Sequence, residues 1–117
     1  MSVVKSLNNK KSLQVEWQRL AILSQCLLDA RAGKAPCDTL IRQLRDCQQQ
    51  VDFLRQGHYW LQLLGQDLSS LALDILVCTY GPHIDPDVAL LFQDLQHNSD
   101  LPSLALVYRI LALDQQQ

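Results

Sequence analysis

The chain has 117 residues, of which 48% are apolar and 19% charged, with a formal net charge of −2. That is enough chain for one globular domain and too little for two ordinary ones, with apolar residues sufficient for a core without staples. The slight acidity excludes bulk electrostatic attraction to nucleic acid or anionic lipid, and no apolar run approaches the roughly 18 residues of a membrane span.

Residues 1–11, MSVVKSLNNKK, are polar and basic, contain no signal-peptide apolar region, and read as a frayed tail. Ser12 stands where a helix N-cap belongs. From there Leu13, Trp17, Leu20 and Leu27, with Ser24 in one seam position, follow a 4-3 helical spacing. Ile22, Leu23, Cys26 and Leu28 broaden that apolar face, and Gly33 and Pro36 end the helix. A second helix starts near Cys37 or Asp38, carries the stripe Leu40, Leu44, Cys47, Val51 and Leu54, and ends at Gly57. The short Gly/Pro turn between the two predicts an antiparallel helical hairpin over residues 12–56. The glutamines at 48–50 lie on this helix and carry no separate meaning.

The remainder is denser. Residues 58–64, HYWLQLL, read as a short helix stopped by Gly65. Ser69 or Ser70 caps the next helix, which runs to about Tyr80 and is apolar nearly all round, the pattern of a buried centre. Gly81 and Pro82 end it. Asp85 followed by Pro86 is an acidic cap with proline at the first helical position, and the helix that follows carries Val88, Leu91, Phe92 and Leu95 on one face. Residues 97–100 form a loop, and Pro102 and Ser103 open a last helix with Leu104, Leu106, Val107, Ile110 and Leu111. Residues 115–117 read as a tail or a cut point in a longer chain. No alternating strand pattern, repeat or low-complexity linker appears. The expectation is an all-α protein: a flexible tail at 1–11, then a single helical domain over 12–114. That domain comprises the hairpin at 12–56 and a compact three- to four-helix, helix-turn-helix-like bundle at 58–114.

The chemistry-bearing residues form no catalytic or cofactor pattern. Cys26, Cys37, Cys47 and Cys78 make no CxxC pair and read as reduced, mostly buried thiols of a cytosolic protein. Cys78 and His83 are the nearest soft pair, but they straddle Gly81 and Pro82, and no second pair completes a tetrahedral metal set. Asp85 and Asp87 are explained by helix capping and the helix dipole, and no base can be assigned to activate a cysteine. The pattern GxxxxGK[ST] is missing, so the chain has no phosphate-binding loop of its own. A helix-turn-helix outline over 68–95 has DPDVALLFQDLQ as its second helix, without Lys or Arg to aim at bases. Lys5, Lys10, Lys11 and Arg19 read as a solvated tail and helix face. No catalytic, cofactor-binding or metal residue is therefore assigned, and no cofactor is expected.

Aromatic residues at helical-face positions read as core. The adjacent pair Tyr59 and Trp60 is the exception, since neighbours on a helix point in different directions and an exposed aromatic anchors interfaces. Tyr59 and Trp60, with Leu44, Val51 and Leu54 of the second stripe, are the candidate interface residues. The helix at 12–32 and the one at 69–80 are each apolar on more than one face, which leaves surface for a partner.

The stretch over 64–106 resembles the small helical domain that precedes the ATPase module in a group of bacterial AAA+ ATPases, including those encoded with contractile injection particles. The matching pieces are Leu64 and Gly65, Leu68 and Ser69, Asp74 to Leu76 and Gly81 to Pro86. Leu91 and Phe92, Leu95 and Gln96, and Pro102 to Leu106 complete the match. Taken on to Leu113, the resemblance covers about 50 residues. Family members often carry an Arg-rich stretch before the Pro-Thr, where this chain has residues 96–100, QHNSD, so a basic contact there is lost. The resemblance implies a winged-helix-like domain, of which the helical part and no clear wing is legible, without chemistry of its own. It would dock onto a AAA+ module in cis or onto a client protein, in the bacterial cytoplasm, with the ATPase beyond Gln117. Two other readings stand beside it. One is an independent helical adaptor, a homo-oligomer formed through Leu40, Leu44, Val51 and Leu54. The other is a helix-turn-helix regulator, disfavoured by charge.

Overall fold

The computed structural model describes residues 14–35, 37–57, 60, 65–66, 68–96 and 103–115. Among these the regular structure is entirely helical: α1 (Gln14–Arg31), α2 (Asp38–Gln56), α3 (Ser70–Ile84), α4 (Pro86–Leu95) and α5 (Leu104–Gln115). The tail at 1–11, the Ser12 cap, the short helix at 58–64 other than Trp60, the loop at 97–100 and Pro102 lie outside the described residues.

α1 and α2 form the expected antiparallel hairpin. Glu16, near the start of α1, meets Arg55, near the end of α2, and Arg19 meets Gln48 one turn further in. The turn depends on Gly33, whose φ of 76° lies in the left-handed region. With that residue left-handed, the N–H of Lys34 donates to the Asp29 carbonyl at 2.8 Å and the N–H of Gly33 to Ala30 at 3.1 Å, closing the last turn of α1. Leu44, Cys47 and Val51 of the α2 stripe are buried, while Leu40 and Leu54 flank them half-buried.

The centre of the fold is α1, not the helix after Ser69. α1 packs against each of the other four helices. Its buried residues Val15, Glu16, Trp17, Arg19, Leu20, Leu23, Ser24 and Cys26 cover an arc of about 200° at 3.6 residues per turn. Phe92, Val88, Val77 and Ile110 from the other helices are shut away around it, and each such side chain contributes about 1.5–3 kcal/mol by leaving water. α3 was expected at the centre because it is apolar all round. It buries Leu73, Val77, Cys78, Gly81 and Pro82 and leaves Leu71 and Ile75 exposed. An all-round apolar helix is consistent with a central place but does not require one; here the neighbours α1, α4 and α5 cover only one side of it.

α3 also runs further than expected. Gly81 and Pro82 do not stop it; the helix continues to Ile84. Pro82 has no N–H, so one backbone bond is lost. The next turn still closes, with the N–H of Asp85 donating to the Gly81 carbonyl at 2.8 Å. Gly81 is needed for another reason: a β-carbon there would lie 2.6 Å from Leu20 Cδ2 and 3.3 Å from Val88 Cγ1. The glycine lets α3 approach α1 and α4 at this point, and Pro82 beside it is buried. Asp85 then ends α3 and begins α4, its Oδ1 accepting from the N–H of Asp87 at 2.9 Å, with Pro86 at the first helical position as expected. Ser69 caps α3 by accepting from the N–H of Ala72, and Ser103 caps α5 by accepting from the N–H of Leu106. Arg31, at the end of α1, donates to the Leu95 carbonyl at 2.8 Å and so ties the C-terminal ends of α1 and α4 together.

Candidate interaction surface

The outer side of α3 exposes two large apolar residues on one helix face. Leu71 is 59% exposed and Ile75 45%. With Thr79 and His83, also exposed, they form one ridge at four-residue spacing. Ala72, Leu76 and Tyr80, half-buried, form the neighbouring ridge. Ala72, Ile75, Leu76, Thr79, Tyr80 and His83 line a shallow open groove of about 450 Å³. Neither ridge contains Asp, Glu, Lys or Arg; the sole such residue of α3, Asp74, stands about 180° around the helix from His83 and faces inward.

A buried ionic network fixes that inward side. Arg55 of α2 donates to both carboxylate oxygens of Glu16 of α1, Nη2 to Oε1 at 3.0 Å and Nε to Oε2 at 3.1 Å. Its Nη1 lies 2.8 Å from Asp74 Oδ1 and 3.3 Å from Ser70 Oγ, both on α3. Glu16, 0% exposed, also accepts from Trp60 Nε1 at 2.8 Å. Arg19 donates Nε to Gln48 Oε1 at 2.6 Å and stands 3.5 Å from Asp74 Oδ1 through Nη1. Two cations and two carboxylates thus balance inside the fold, and no buried side-chain nitrogen or oxygen among the described residues lacks a partner. Burial pulls the Arg55 guanidinium down, but the charges and hydrogen bonds of Glu16 and Asp74 together outweigh it and hold Arg55 above its ordinary value. Arg19, read from the sequence as part of a solvated face, is therefore a core residue, and Glu16 went unread altogether. The available signal was a Glu and an Arg three residues apart amid the apolar positions of α1.

The other sequence-predicted residues fall into place plainly. Trp60, Leu44 and Val51 are buried within the chain, so they are core and present no surface. Leu44 and Val51 read as a dimer surface because an amphipathic stripe looks the same whether its partner is another copy or the chain's own α1, and Trp60 was a candidate only as one member of the adjacent pair with Tyr59. Leu54 is half-buried beside Val51, and Tyr59 lies outside the described residues. Phe53, next to Leu54 and 76% exposed, went unnoticed because it stands off the stripe. Gln18, Gln43, Asp46, Asp85 and Asp87 line a shallow acidic cleft over Ile22 and Cys47, where α1, α2 and the start of α4 meet; Asp85 is already engaged there as a helix cap.

Cys26, Cys47 and Cys78 are buried thiols, as expected; Cys37 is exposed at the start of α2, and none is in a disulfide. Burial pushes Cys78 up to about 12, with the Asp74 charge adding to it. Cys37 is lowered, first by the backbone amides of Leu40 and Thr39 and then by the Thr39 side chain. Among the described residues no three His, Cys, Asp or Glu side chains are grouped to hold a metal ion, and no helix is long and apolar enough to cross a membrane. No protein-family model, curated protein or solved structure matches the chain.

Proposed function

We propose that the chain is a non-catalytic protein–protein interaction domain that docks through the outer face of α3, the accessory part of a bacterial AAA+ ATPase. The observation that carries the docking role is the exposure of Leu71 and Ile75 on a helix face with no charged residue, in a fold whose interior polar groups are paired. An exposed face that carries large apolar side chains and no charged ones is a common mark of a protein-binding site. The resemblance of residues 64–106 supplies the motor. Its punctuation, from Leu64 and Gly65 to the Asp85 and Pro86 helix start, is what links this chain to the domain before the ATPase module. In that setting the domain recruits a client or regulates the motor and has no chemistry of its own.

Reading the gene past the codon for Gln117 tests the motor half. An open frame running into GxxxxGK[ST] is the expected result; a stop codon there removes the motor and leaves a separate helical binding protein. The docking half is tested by titrating the chain against the ATPase module, where Ile75→Lys is expected to abolish binding and Phe53→Lys to leave it intact.

A further inference from the structure

We draw no further inference here: the strongest candidate, the shallow cleft of Asp46, Asp85 and Asp87 over Ile22 and Cys47 where α1, α2 and the start of α4 meet, is an acidic cluster in which Asp85 already caps α4, and nothing in the structure shows what fills it.

Discussion

Replacing Arg55 with alanine removes the side chain of α2 that joins Glu16 of α1 to Asp74 and Ser70 of α3. Glu16, 0% exposed, loses two charge-assisted hydrogen bonds at 3.0 and 3.1 Å and keeps the Trp60 indole N–H at 2.8 Å. Asp74 loses its contact at 2.8 Å and keeps Arg19 at 3.5 Å. Breaking a buried ion pair from one side costs about 3–5 kcal/mol, because the remaining charge stays desolvated. That is a large part of the roughly 5–15 kcal/mol that holds a domain folded. With a urea slope of about 1–3 kcal/mol per molar, the unfolding midpoint falls by roughly 2 M. High salt changes the loss little, since screening acts weakly on a largely buried pair. The double variant Glu16→Met with Arg55→Met recovers much of it, because removing both charges removes the desolvation penalty as well. Urea unfolding followed by circular dichroism measures each case. A loss for Arg55→Ala below about 1 kcal/mol, the level of an exposed pair, refutes the placement of this network in the interior.

Three further outcomes follow from the same structure. Under native conditions iodoacetamide modifies Cys37 far faster than Cys26, Cys47 or Cys78, with a pH midpoint below the ordinary thiol value; a second thiol reacting at the same rate counts against it. Cys78, raised to about 12 in the fold, contributes stability that is complete below the unfolded thiol value and is lost as pH rises toward 12, approaching about 4 kcal/mol in all. Its replacement by alanine therefore flattens the alkaline limb of the stability curve, and an unchanged limb argues against burial of this thiol. Gly81→Val, which sets new atoms against Leu20 and Val88, costs about 1–3 kcal/mol by overpacking; thermal unfolding shows the loss, which shrinks in a Leu20→Ala background if the contact is its cause.

Local chemistry made the helix ends legible. Ser69, Asp85 and Ser103 each satisfy an orphan N–H within three residues of themselves, and Gly33 supplies a conformation that other residues avoid. The all-α class followed from the apolar spacing, and so did the hairpin. What the chain did not disclose depends on partners far away in sequence. Arg19 finds Gln48 and Asp74, 29 and 55 positions on, and Trp60 reaches Glu16 across 44. A charged residue whose partner is that remote reads as solvated. The candidate surface was legible only in part: α3 showed apolar character on more than one face, but the face left outside is decided by tertiary packing. Pro82 is the opposite case, a strong local stop signal overruled because packing of Gly81 against Leu20 and Val88 holds the helix together through it.

That last choice, which side of α3 looks outward, has a specific physical cause. Leu71, Leu73, Ile75, Leu76 and Val77 lie all round the helix, so apolar burial alone gains similar amounts from several rotations about its axis. Asp74 breaks the degeneracy. Only one rotation brings its carboxylate to Arg55 at 2.8 Å and Arg19 at 3.5 Å, and that rotation turns Leu71 and Ile75 out. The network would then act less as a source of stability than as the device that selects one docking face, a role buried charges play in some helical assemblies. Asp74→Leu separates the two roles. Arg55 keeps Glu16 and Arg19 keeps Gln48, so the loss of stability is modest, about 1–3 kcal/mol. The rotation, however, is no longer pinned: α3 amide signals broaden or double in NMR spectra, and a cysteine placed at Ile75 in a Cys37→Ser background labels more slowly. A single sharp set of α3 signals with unchanged labelling would mean that packing alone orients the helix, and the selecting role of Asp74 would fall.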